Sequence, residues 1–173
     1  CLVGSEMCIR DRHSIANIVG VDVLHHIEQP AEFFAEAERV LRPGGRVVFI
    51  EPAITPVSWL AYKLGHREPV LLGADPLARG SRRPDRDPMD SNQAVPTLVT
   101  GRHRSRFEQQ FPNLPIAHRR RLSLVAYPLS GGLRPWSLLP RPLVAPMLRL
   151  ERWVEPALSP VMGFRLLIVL ERV

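Results

Sequence analysis

The sequence predicts an α/β fold, and three stretches carry that prediction: a short apolar run at Ile15–Val21, a segment of helical period after Pro30, and a second apolar run at Arg46–Ile50. IANIVGV is brief and rich in β-branched residues, as expected of a strand buried on both faces. Asp22 stands at its carboxyl end. Pro30 suits the first turn of a helix, where its missing N–H costs nothing. Phe33, Phe34, Ala37, Val40 and Leu41 then mark one face of a 3.6-residue period, with Glu32, Glu36, Glu38 and Arg39 between them. Arg42-Pro43-Gly44-Gly45 is expected to end this helix, because Pro cannot continue it and Gly tolerates left-handed angles. RVVFI follows as a second buried strand ending at Glu51-Pro52. A strand–helix–strand unit of this length should be parallel.

The chain has 173 residues, 45% hydrophobic and 23% charged, which suits one domain with a real core and excludes disorder or a disulfide-stapled mini-protein. Cys1 and Cys8 both lie at the start, so no disulfide framework is expected in the body of the fold. No apolar run approaches the ~20 residues that span a bilayer. A cytoplasmic protein with no transmembrane segment is expected. Residues 1–12, CLVGSEMCIRDR, lack an amphipathic period and resemble translated sequencing adapter. They are set apart as a non-native leader, and the domain is expected over 13–173.

Net charge is +6, and between Arg79 and Arg121 ten Arg face four acids, so that segment carries the whole excess. Such a segment could steer phosphates. Only Phe107 and Phe111 are aromatic there, however, and a single-strand binder needs stacking platforms. A solvated surface and no nucleic-acid partner are expected, with a basic nucleic-acid module as the rival reading.

DVLHHI, then a helix, then VLRPGGRVVFIEP resembles the fourth strand, following helix and fifth strand of class I S-adenosylmethionine-dependent methyltransferases, most closely the type 11 small-molecule branch. The resemblance covers roughly residues 15 to 52. It implies a partial Rossmann-like sheet holding strands four to seven of the family. Arg121–Tyr127 and Phe164–Leu170 would be the sixth strand and an antiparallel seventh beside the fifth, with RSRFEQQF (Arg104–Phe111) as the helix before the sixth. Two insertions, at about 53–103 and 133–163, would form a helical cap over the substrate side. The implied cofactor is S-adenosyl-L-methionine. No glycine-rich turn of the family kind stands in the sequence, because Gly44-Gly45 and Gly131-Gly132 are in the wrong context. A C-terminal portion, inactive or nearly so alone, is therefore expected.

His25 and Glu51 are the candidate catalytic pair, since each follows one of two strands expected to be neighbours. A carboxylate that fixes a His tautomer makes it a good base near neutral pH. The alternative is a surface His and a strand-end Glu binding backbone N–H groups. Asp22, Val23 and Leu24 would form the cofactor rim. His26, Trp59, Tyr62 and Trp136 are candidate substrate contacts, though such aromatics more often fill a core. No metal is expected, because His25, His26 and Glu28 lack the i, i+4 His spacing of a helical zinc motif. Leu143, Met147, Leu148 and Glu151-Arg152 suggest an amphipathic helix whose apolar stripe rests on the sheet, the alternative being a membrane or a lipid substrate. The expected function is methyl transfer to a small molecule at oxygen, the acceptor being a lipid or glycan precursor. A non-catalytic relative is the third reading.

Overall fold

In a computed structural model, the described residues are 11–65, 68–78, 80, 85–87, 89–131 and 135–173. Cys1, Cys8, most of the leader, Arg79, Arg82, Arg83 and Gly132 lie outside them. Strand β1 (Ile15–Val21) leads through a 3₁₀ turn at Leu24–His26 into helix α1 (Pro30–Val40), and β2 (Leu41–Pro52) follows directly. Next come α2 (Pro56–Gly65), α3 (Val95–Thr100), α4 (Arg104–Gln110), β3 (Ile116–Leu122), α5 (Ala126–Leu129), α6 (Arg141–Met162) and β4 (Arg165–Glu171).

The four strands form one sheet in the order β1-β2-β4-β3. β1 and β2 run parallel, with Asn17 opposite Arg46 and Val21 opposite Ile50. β4 lies antiparallel between β2 and β3. The parallel pair and the late antiparallel strand beside β2 are as the sequence predicts.

α1 forms because Pro30 starts it and an apolar face repeats along it; Ala31, Phe34, Ala37 and Val40 are buried on that face. Phe34 meets Phe107 and Phe111 of the α4 region edge-on or tilted, at ring distances of 4.9 and 5.7 Å. Leu41, Val47, Phe49, Leu166, Ile168 and Leu170 supply the sheet side of this core. Burying each such side chain contributes about 1.5–3 kcal/mol.

The structure corrects several expectations. β1 is buried on one face only: Asn17, Val19 and Val21 are exposed. The RPGG segment does not form a separate turn after the helix. α1 ends at Val40, and Arg42–Gly45 is a bulge within β2, where the register jumps between Ile15↔Leu41 and Asn17↔Arg46. Gly44 takes φ +73°, and its N–H donates to the Arg172 carbonyl. β3 lies at Ile116–Leu122 rather than Arg121–Tyr127. Ser123, at φ +58°, ends the strand and turns the apolar VAY segment into α5 instead of the sheet. The first insertion holds α2 and α3, and α2 packs on α6 of the second. α6 does not rest its apolar stripe on the sheet; its buried residues are Glu151 and Glu155.

Candidate active site

The parallel register brings the ends of β1 and β2 together, and with them Asp22, His25 and Glu51. Glu51 is fully buried. Its Oε1 accepts the N–H groups of Val23 (2.9 Å) and Leu24 (2.8 Å), and its Oε2 lies 2.6 Å from His25 Nδ1. The carboxylate thus holds the 3₁₀ turn and the imidazole at once, and His25, 4% exposed, is not the surface His of the alternative. The other ring nitrogen, Nε2, faces Glu68 Oε2 at 3.3 Å, so the imidazole lies between two carboxylates. Gln93 Nε2 donates to that same carboxylate oxygen at 3.0 Å.

These groups open onto a cavity of about 590 Å³. His25, His26 and Glu68 line one side of it, and Tyr62, Tyr127, Trp136 and Phe164 give it aromatic walls. Tyr62 is buried, and its hydroxyl donates to the Phe164 carbonyl at 2.9 Å; burial pushes its pKa well above the usual phenol value. His26 lies with its ring 4.3 Å from that of His25, and its Nδ1 is buried without a hydrogen-bond partner.

Asp22 takes φ +53°, a left-handed angle that a short polar side chain tolerates better than most. Arg165 Nη1 donates to its Oδ1 at 2.6 Å, and Nη2 donates to the Ile50 carbonyl at 3.1 Å. The same guanidinium lies 5.1 Å from the Tyr127 ring centre. Burial alone would lower the Arg165 pKa, but the Asp22 hydrogen bond and the neighbouring groups outweigh it, and the pKa is raised.

Not every predicted residue reaches this place. Trp59 lies outside the cavity lining; Lys63 Nζ sits 4.9 Å from its ring centre. Leu24 is 1% exposed, in the core, and its N–H is taken by Glu51, so among the three rim residues only Asp22 and Val23 stay open. Glu28 does not join the histidines. The residue that does is Glu68: His25, His26 and Glu68 each bring a possible ligand atom within 4.8 Å of the others, as do Asp22, His25 and Glu51. In both trios the carboxylates are already engaged, Asp22 by Arg165, Glu51 by backbone N–H groups and Glu68 by Gln93.

Glu68, Gln93, Arg165 and Tyr127 were not singled out from the sequence. Glu68 and Gln93 come from the stretch between α2 and α3, where no period signals position. Arg165 did leave a signal, a lone charge opening a buried apolar strand. Of the arginines behind the nucleic-acid reading, six of those described have internal partners: Arg106 bonds Asp75, Arg104 bonds Glu108, Arg120 bonds Glu155, Arg119 bonds the Thr100 hydroxyl, and Arg86 and Arg102 bond the Asp90 and Leu72 carbonyls.

Residues 7–49 match the family model described as a methyltransferase domain. This part of the chain is similar to that family. The match begins inside the segment set apart as a leader and runs through β1, α1 and most of β2. An uncharacterized 37.1 kDa protein in transposon TN4556 of Streptomyces fradiae is 36% identical over 86 residues, covering 44% of this chain and 24% of that protein. Among solved structures, geranyl diphosphate C-methyltransferase from Streptomyces coelicolor A3(2) has 15% identity and a TM-score of 0.42, covering 96% of this chain and 50% of its own. A SAM-dependent methyltransferase from Archaeoglobus fulgidus has 10% identity and a TM-score of 0.45, covering 94% and 62%. The chain thus spans about a quarter of the curated relative and between half and two-thirds of these structures. The matched segment supplies Asp22 and His25, while Glu51 and Glu68 lie beyond it. No helix among the described residues is long and apolar enough to cross a membrane.

Proposed function

We propose that the chain forms the acceptor side of an enzyme that transfers a methyl group from S-adenosylmethionine to an oxygen of a small molecule, the acceptor being a lipid or glycan precursor. The observation that carries this reading is the buried His25–Glu51 pair opening on an aromatic-walled cavity at the end of a methyltransferase-family strand pair. Val23 is 45% exposed beside Asp22, so the end of β1 offers an open rim that fits one side of the cofactor. When bound, the cofactor would supply an electrophilic methyl group, with Asp22 and Val23 at its edge.

The remaining work falls to side chains of this chain. Glu51 holds the proton on His25 Nδ1, which keeps the lone pair on Nε2. Nε2 takes the proton of the acceptor hydroxyl as that oxygen becomes a nucleophile, and the imidazolium formed is stabilised by Glu51 and can share its proton with Glu68. The walls of Tyr62, Tyr127, Trp136 and Phe164 hold an apolar acceptor body and exclude water.

The test is calorimetric titration with S-adenosylhomocysteine of this chain and of a longer chain carrying about 100 residues of upstream sequence. The longer chain is expected to bind; binding by neither overturns the reading. In that longer chain, His25→Asn should lower kcat by about 10²–10⁴-fold and leave S-adenosylhomocysteine affinity nearly unchanged. Full turnover by His25→Asn would remove the base from the mechanism.

A further inference from the structure

α6 is attached to the protein by its acids. Glu151 accepts the backbone N–H groups of Leu124, Val125 and Ala126, and Glu155 accepts both Nε and Nη2 of Arg120. Both glutamates are buried. At 100° per residue they mark one stripe of the helix, shared with the part-exposed Val144 and Leu148, and most of the apolar side chains lie elsewhere. Leu143, Pro146, Leu150, Trp153, Ala157 and Val161 form a second stripe that faces solvent, with Trp153 81% and Leu150 55% exposed. Arg141, Arg149 and Arg152 form a third, also exposed. With its only two acids turned inward, α6 shows solvent an apolar face flanked by cations and no carboxylate.

α2, which packs on α6, repeats the pattern. Val57, Leu60 and Leu64 are exposed at i, i+3 and i+7, Lys63 lies beside them, and the helix has no acid. An apolar stripe beside arginines is what an in-plane helix needs to lie at an anionic lipid surface. A second copy of the chain fits worse, because the arginines of one α6 would face those of the other with no exposed carboxylate on either helix to pair with them.

The geometry points to α6 as a docking surface for an anionic membrane, lying in the plane of the lipid headgroups with its Leu143–Val161 stripe inward and its arginines on phosphates. At 22 residues the helix is about 33 Å long, and in this orientation it covers the surface rather than crossing it. The inference is independent of the methyl-transfer reading.

The full chain is tested by sedimentation with vesicles of phosphatidylcholine alone and with vesicles containing about one-third phosphatidylglycerol. Binding at least about ten-fold tighter to the anionic vesicles is expected, weakening with salt. Trp153 emission should shift to the blue on binding, and Trp153→Phe should remove most of that shift. Leu150→Glu should weaken binding about ten-fold or more, and the pair Arg149→Ala and Arg152→Ala roughly thirty-fold. Failure to bind either vesicle, equal binding to both, or binding that Leu150→Glu leaves unchanged would overturn the inference. So would a concentration-dependent dimer that Leu150→Glu abolishes, since it would give the stripe to a second copy.

Discussion

Glu51 shows how much one side chain can decide when it is fully buried. A carboxylate with no water needs its lone pairs filled, and here two backbone N–H groups and an imidazole fill them. Tyr62 shows the same constraint in a phenol. Burial raises its pKa above the ordinary value near 10, so on raising the pH the unfolded chain loses the proton first. The stability this group contributes is therefore complete below about pH 10 and is lost as pH climbs toward the folded-state value. Tyr62→Phe gives up the hydrogen bond to Phe164, costing about 1 kcal/mol at pH 8. Its deficit should shrink by pH 10.5, where the wild-type phenol begins to destabilise the fold. Denaturant unfolding at both pH values reads this out, and a deficit that stays constant contradicts it. The pairing of His25 with Glu51 was open to sequence reading because both stand at the ends of predicted neighbouring strands. Glu68 was not, since nothing in the stretch that bears it fixes where the chain runs.

Among the elements, the β1–β2 pair is the best determined from sequence, and one residue pair shows its tolerance. Gly20 stands opposite Phe49, and a Cβ at Gly20 would lie 2.6 and 2.8 Å from two atoms of the Phe49 ring. That ring is buried and packed 5.5 Å from Phe33. Gly20→Ala would gain about 0.4–1 kcal/mol from the unfolded chain, but overpacking the core costs about 1–3 kcal/mol. The overlap wins, and a lower Tm by roughly 2–8 °C is expected; an unchanged or higher Tm in a thermal melt would show that Phe49 can give way. β3 and α6 mark where element reading fails. Arg119, Arg120 and Arg121 disguise a strand, because backbone pairing with β4, rather than a hydrophobic alternation, holds it in place. RLSLVAY looks more like a strand than IAHRRRL does, yet a single left-handed residue, Ser123, diverts it into α5. In α6 the period is plain, but period alone does not say which stripe faces inward.

At the scale of the molecule, the sheet leaves β1 paired with β2 alone among the described residues. Val19 on this strand is 70% exposed, and an apolar strand at a sheet edge invites pairing with another chain. Val19→Lys should reduce concentration-dependent association, measured by light scattering, while changing stability by no more than about 0.5 kcal/mol. Association that continues undiminished would place the sticky surface elsewhere.

The sequence by itself determined the α/β class, the parallel strand pair, the helix between them and the nearness of His25 to Glu51. These follow from short-range periodicity and from the geometry of a crossover, both of which are written in consecutive residues. Only the tertiary structure decided that Glu68 and Gln93 reach the imidazole, that Arg165 clamps Asp22, and that α6 docks by its glutamates with its leucines outward. The physical reason is that each of these depends on a partner far away in the chain, and a buried polar group goes wherever its partner is.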